Sequence, residues 1–226
     1  MKKIILLKLS GEAFIDGTLV RSYARQIKQL WNSHQFGIVI GGGNFFRGNQ
    51  HGKLFGISDS ASHQAGMLAT MMNGLILQDI FSQEQVPSTL FCALDCPSIG
   101  NPLAPQAIKT AILQDQCVIF TGGMGNPFFT TDTTAIVRGL QIKAQEVWKA
   151  TKVTGIFTAD PHTNPDAQLL KRVSYADALQ QRLGIMDATA LALAQEHQMP
   201  IRVFSLFESD SLINAATDNN FGSLVT

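Results

Sequence analysis

Apolar positions along the chain follow two kinds of pattern. Short, nearly continuous runs occur at residues 3–9, 36–41, 88–94, 117–121 and 201–206. A strand exposed on one side would alternate, so these runs predict strands covered on both faces. Between the first two, Val20, Tyr23, Ala24, Ile27, Leu30 and Trp31 recur at helical spacing and predict one buried helix face. Residues 61–81 are apolar on most sides and predict a long helix. Gly66 and Gly74 inside it suggest close packing, and its methionines suit core filling. Further helices are predicted over 106–114, from Ala135 through Ile142, and over 174–182, 186–198 and 209–217. Short strands are predicted at 147–151, 154–158 and 222–225. The opening strand, helix and strand form one βαβ unit with parallel strands, which places the chain in the α/β class.

Chemistry gathers where the strands stop. Ile38-Val39-Ile40 runs into Gly41-Gly42-Gly43-Asn44-Phe45-Phe46-Arg47-Gly48. Consecutive glycines let backbone N–H groups approach an anion closely and form a nest, and an arginine fork suits phosphate oxygens. The first strand ends in Lys8-Leu9-Ser10-Gly11-Glu12, and a lysine there either snorkels to the surface or meets an anion. A third strand ends in Thr121-Gly122-Gly123-Met124-Gly125-Asn126-Pro127-Phe128-Phe129-Thr130-Thr131-Asp132 and then opens a helix. Hydroxyls at a helix start can cap it or donate to a phosphate or a polar base. Lys149-Ala150-Thr151-Lys152 and Phe157-Thr158-Ala159-Asp160-Pro161 add cations and an aromatic near another turn. In open α/β sheets ligands collect at the carboxyl ends of strands, so Lys8, Arg47, Asp132 and Lys149 belong on one rim.

Composition narrows the partners. The 226 residues are 45% hydrophobic and 15% charged, with 17 basic and 17 acidic residues. A broad basic face for nucleic acid is therefore not expected, and any polyanion site must be local. The three cysteines, Cys92, Cys96 and Cys117, sit in or beside apolar runs and are expected to be buried, reduced thiols. Lys2-Lys3 before Ile4–Leu7 resembles the start of a secretion signal. However, Lys8 breaks the run and Ser10-Gly11-Glu12 follow, so a cytoplasmic protein without membrane spans is expected. The Walker pattern and the G-x-G-x-x-G pattern are both absent, as is a zinc-like cluster. Phosphoryl transfer remains the chemistry that such a rim serves, with cations and N–H dipoles stabilising equatorial oxygens and a metal carried on the nucleotide.

These strings together resemble the amino acid kinase superfamily and, within it, its bacterial uridylate-kinase branch. The resemblance is carried by Leu6–Ala13, Val39–Gly48, Gly66–Thr70, Gly125–Asp132, Lys149–Val153, Phe157–Pro161 and Pro200–Phe204, in order along the chain. It implies a three-layer α/β/α sandwich with a mostly parallel central sheet. One domain would span 1–226, with a UMP-binding lobe near 1–145 and an ATP-binding lobe near 146–226. It implies transfer of the γ-phosphoryl group of ATP, bound with Mg2+, to UMP in pyrimidine nucleotide biosynthesis, by a homohexamer whose contacts include the 61–81 helix. Carried over, Lys8, Leu9, Ser10, Gly11, Gly43, Arg47, Thr151, Phe157 and Asp160 would hold ATP. Gly42, His63, Met124, Gly125, Asn126, Pro127, Phe128, Phe129, Thr130 and Thr131 would hold UMP. Lys8, Arg47 and Asp132 would act in catalysis, Asp132 by orienting Lys8, and no protein-held metal is implied.

Two departures stand out. His63 takes a position where the family usually has an aspartate on the UMP ribose, with Asp59 one helical turn earlier as a substitute. The loop Phe14-Ile15-Asp16-Gly17-Thr18 is short, and in relatives that loop is tied to activation by GTP. Two other readings stay open. A kinase for CMP or a small carboxylate or carbamate would prefer that acceptor over UMP, whereas a non-catalytic nucleotide-binding protein should have lost its cationic groups.

Overall fold

The computed structural model describes residues 2–161, 163–181 and 183–226. The elements in chain order are β1 (Lys3–Leu9), a 3₁₀ turn (Gly11–Phe14), α1 (Gly17–Leu30), β2 (His34–Ile40), α2 (Gly48–Phe55), α3 (Asp59–Gln83), β3 (Ser88–Cys92), β4 (Asn101–Pro102), α4 (Pro105–Leu113) and β5 (Cys117–Thr121). There follow α5 (Thr131–Gln141), β6 (Glu146–Thr151), β7 (Ile156–Phe157), β8 (Leu169–Leu170), β9 (Arg172–Val173), α6 (Tyr175–Gln180), α7 (Ala188–Glu196), β10 (Ile201–Ser205), α8 (Ser211–Thr217) and β11 (Ser223–Val225).

One nine-stranded sheet in the order β4-β3-β5-β2-β1-β6-β10-β11-β9 runs through the molecule. Every pairing in it is parallel except β10 with β11. The strands read as unbroken apolar runs because both faces are covered. Leu6, Val39, Phe120 and Val147 join Ile136 of α5 in one core, whereas Ile5, Leu7, Ile38 and Trp148 join Tyr23, Ile27 and Leu77 of α1 and α3 in the other. Successive side chains on a strand point to opposite faces, so Lys8 shares the α5 side with Leu6, and Lys149 shares it with Val147. The register completes the placement, because Lys8 of β1 pairs directly with Lys149 of β6.

Several expectations need correction. Residues 154–158 do not form a strand of the sheet. Only Ile156–Phe157 is extended, and it pairs antiparallel with Leu169–Leu170 in a separate ribbon. The short α2 and the strands β4, β8 and β9 have no counterpart among the predicted elements. The predicted helix 174–182 covers only Tyr175–Gln180, and residue 182 lies outside the described residues. Gly74 does mark close packing, since a Cβ there would stand 2.2 Å from Thr121 Cγ2. A Cβ on Gly66 would meet nothing within 4 Å. Met67 and Met71 fill core, but Met72 is exposed. Cys92 and Cys117 are buried free thiols, whereas Cys96 is only partly buried.

Candidate active site

The carboxyl ends of β1, β2, β5 and β6 build the site. Asp132 lies in the first turn of α5, where a negative charge is favoured by the helix dipole. The N-cap is Thr130, whose hydroxyl accepts from the N–H groups of Asp132 and Thr133 at 3.0 and 3.4 Å. Asp132 is thereby released from capping, and its carboxylate takes Lys8 Nζ at 3.1 Å on one oxygen and Lys149 Nζ at 2.7 Å on the other. All three side chains are largely covered, at 11% exposure for each lysine and 16% for the aspartate. Burial pushes the Asp132 carboxyl up, but Lys8 and Lys149 outweigh it and hold it below the ordinary value. Burial lowers Lys149 in turn, against the pull of Asp132. Lys149 also donates to the carbonyl of Ile185, so its ammonium is held from two sides. The snorkelling alternative for Lys8 does not hold: its partner is a buried carboxylate.

The glycine-rich ends of β1 and β2 lean on each other. A Cβ on Gly11 would stand 2.7 Å from the Gly43 nitrogen and 2.9 Å from that of Asn44, so only glycine permits this approach. Gly42 is pressed against α3, 2.7 Å from Ala69 Cβ on the same test. Asn73 of α3, fully buried, donates to Gly41 O at 2.7 Å and exchanges hydrogen bonds with Asn44 at 2.8 and 3.0 Å. The turn that would face phosphates is thus fixed from behind. Arg47 donates Nε to Gly43 O at 3.0 Å and Nη2 to Glu12.

Two hollows open beside this centre. One, of about 410 Å³, is lined by residues from Lys149 onward, among them Thr151, Phe157, Asp160, Gly184, Ile185 and Val203. The other, of about 460 Å³, is lined only by residues up to Thr131, among them Gly42, Arg47, His63, Phe129, Thr130 and Thr131. Of the residues expected at ATP, Thr151, Phe157 and Asp160 fall together in the first hollow. Lys8, Ser10, Gly11 and Gly43 lie at or just past the carboxyl ends of β1 and β2 and line neither hollow, Arg47 lines the second hollow instead, and the Leu9 side chain is buried in the core. Of those expected at UMP, Met124, Gly125, Asn126, Pro127 and Phe128 belong to the turn beside the second hollow rather than to its lining. Gly122, Gly123, Gly125 and Phe128 take positive φ in that turn, and the Phe128 ring packs 5.1 Å from the His63 ring. His63 also borders an adjoining hollow of about 330 Å³ that contains Asp59.

The sequence pattern assigns no catalytic role to Lys149, Asp187 or Glu12. Asp187 caps α7 by accepting from Ala190 N–H at 2.8 Å, and also accepts from the Thr133 hydroxyl at 2.9 Å and from that of Thr130. An aspartate before Ala188 is a readable cap signal, but nothing local reveals that it reaches α5.

A mostly parallel sheet whose carboxyl edge holds glycine-lined turns, a carboxylate between two buried ammoniums and two neighbouring hollows defines a phosphotransferase of the α/β class. The sequence profile of the amino acid kinase family matches residues 3–205. A uridylate kinase of Vibrio vulnificus (strain YJ016) is 41% identical over 230 residues, covering 98% of this chain and 95% of that protein. One of Sodalis glossinidius is 40% identical with the same coverage. The crystal structure of UMP kinase from Ureaplasma parvum superposes with a TM-score of 0.93 at 30% identity, over 100% of this chain and 99% of that one. The chain belongs to the amino acid kinase family, in its uridylate kinase branch.

Proposed function

We propose that this chain transfers the γ-phosphoryl group of ATP to UMP, giving ADP and UDP, and so serves pyrimidine nucleotide biosynthesis. The observation that carries the reading is the Lys8–Asp132–Lys149 triad set between two hollows, one lined from each half of the chain. The halves near 1–145 and 146–226 then act as acceptor and donor lobes of one domain. ATP occupies the hollow of Thr151, Phe157 and Asp160, with its phosphates towards Ser10, Gly11, Gly43 and Lys8. UMP occupies the hollow of Gly42, His63, Phe129, Thr130 and Thr131, with the Met124–Phe128 turn closing over the base. The acceptor phosphate is already an oxyanion, so no general base is needed. Asp132 stays ionised and aims two ammoniums at the oxygens where charge develops, with Arg47 beside them.

Among the described residues, no group of three or more His, Cys, Asp or Glu stands close enough to hold a metal ion, and both Asp132 oxygens face lysines. Mg2+ would be carried on the ATP phosphates, as the uridylate kinase resemblance implies, and would supply neutralisation of their charge. Leu68, Met72, Leu75 and Ile76 form an exposed apolar stripe along α3, 39–55% exposed. Such a stripe supports self-association, in keeping with a homohexamer. No helix of the described residues is long and apolar enough to cross a membrane; the cytoplasmic placement rests on the likeness to uridylate kinases. The test is ADP release with MgATP across UMP, CMP, dTMP and GMP. UMP should give the highest kcat/KM, and a better acceptor among the others would overturn the assignment.

A further inference from the structure

Glu12 follows the first glycine turn, and its carboxylate is the meeting point of both halves of the site. It accepts from the Ser10 hydroxyl, from Arg47 Nη2 after β2 and from Lys152 Nζ, at 3.0 Å, after β6. Arg47 lines the acceptor hollow. Lys152 directly follows Thr151, which lines the donor hollow. The anion is largely covered and the cations are half-exposed. Ser10 caps the Gly11–Phe14 turn through Glu12 N–H at 3.2 Å and holds the same residue's side chain, leaving it 14% exposed. The Arg47 and Lys152 side chains are 43% and 53% exposed. Two long, like-charged, half-exposed side chains diverge unless something fixed gathers them. Burial pushes the Glu12 carboxyl up, but the Ser10 hydroxyl and Lys152 ammonium prevail and bring it to about 2, so it is an anion at any working pH.

We propose that Glu12 is a positioning residue: a fixed internal anion that gathers Arg47 and Lys152, one from each half, into a paired cationic grip for the triphosphate before it arrives. The residue touches no reacting atom and acts through the two cations. The inference rests on the phosphotransferase reading, and the experiment separates the two.

Glu12→Gln, which keeps shape and removes charge, is compared with Glu12→Asp in wild-type, Arg47→Gln and Lys152→Met backgrounds. Loss of charge-assisted contacts should lower kcat/KM for ATP by about ten- to hundredfold in the wild-type background. Affinity for inorganic tripolyphosphate, measured by calorimetry, should fall in parallel, and Glu12→Asp should recover part of both. In the Arg47→Gln, Lys152→Met double background the Glu12→Gln effect should vanish. Tighter tripolyphosphate binding in Glu12→Gln would show that Glu12 only competes with phosphate, and multiplicative losses would show a role in folding the turn. Either result overturns the proposal. If Glu12→Gln does not fold, the same cycle is run with Glu12→Asp, on which deletion of Lys152 should cost less than on the wild type; an equal cost overturns it. A wild type that binds tripolyphosphate but leaves UMP unphosphorylated refutes the function while the grip still stands or falls on the calorimetry.

Discussion

Replacing Asp132 by asparagine is the perturbation that asks most of the site. The side chain keeps its shape, and the two ammoniums at 2.7 and 3.1 Å lose the one charge between them. Removing one member of a buried ion group typically costs about 3–5 kcal/mol, because the remaining charge is left uncompensated. Here two remain, on neighbouring strands, and they repel. Lys149 can relieve this by losing its proton, since burial already lowers its proton affinity. The sign follows from linkage. In the variant the unfolded chain binds that proton more readily than the folded one, so stability rises with pH across the interval between the two proton affinities. Asp132→Asn should therefore be less stable than wild type by about 3–5 kcal/mol near neutral pH, and the deficit should shrink by pH 9. Urea unfolding at pH 7 and pH 9 measures both quantities. Turnover should fall by about 10²–10³, the scale seen when a preorganised donor at a developing charge is lost, with KM for either nucleotide changing far less. A deficit that does not depend on pH, or a near-normal kcat, would refute the account of the triad.

Other consequences are simpler to state. His63→Ala should raise KM for UMP several-fold with little change in kcat, the pattern of lost uniform binding; an unchanged KM moves the ribose contact to Asp59 or elsewhere. Gly74→Val should destabilise the protein by about 1–3 kcal/mol in denaturant titration, as overpacking does, because its Cβ would fall 2.2 Å from Thr121 Cγ2. Wild-type stability in that variant would mean that α3 rides off β5 freely. Leu68→Glu combined with Met72→Lys should reduce the sedimenting species to smaller assemblies without unfolding, and an unchanged sedimentation profile would remove the α3 stripe from any interface.

Legibility followed the range of the interactions. Strands β1 and β2 could be read because burial on both faces leaves an unbroken apolar run, and Lys8 stood out as a charge inside one. The triad was half readable: the rim position of Lys8, Asp132 and Lys149 followed from strand ends, but their mutual contact depends on register between β1 and β6. Residues 154–158 misled because Ile156 and Phe157 favour extended backbone wherever they sit, and sequence alone does not reveal which strand they pair with. Helix α2 was hidden because Gly48 and Gly52 depress local propensity while its packing on α3 is tertiary. The Glu12–Arg47 pair joins residues 35 apart, beyond any local pattern.

The direct pairing of Lys8 with Lys149 across adjacent strands sets their separation by the ladder itself, about 4.8 Å between backbones. A slip of one residue in either strand would turn one ammonium to the opposite side of the sheet. Misregistered molecules are then chemically silent, whatever else in them is well formed. Turnover per mole of protein thus sets a lower bound on the fraction of chains folded in register.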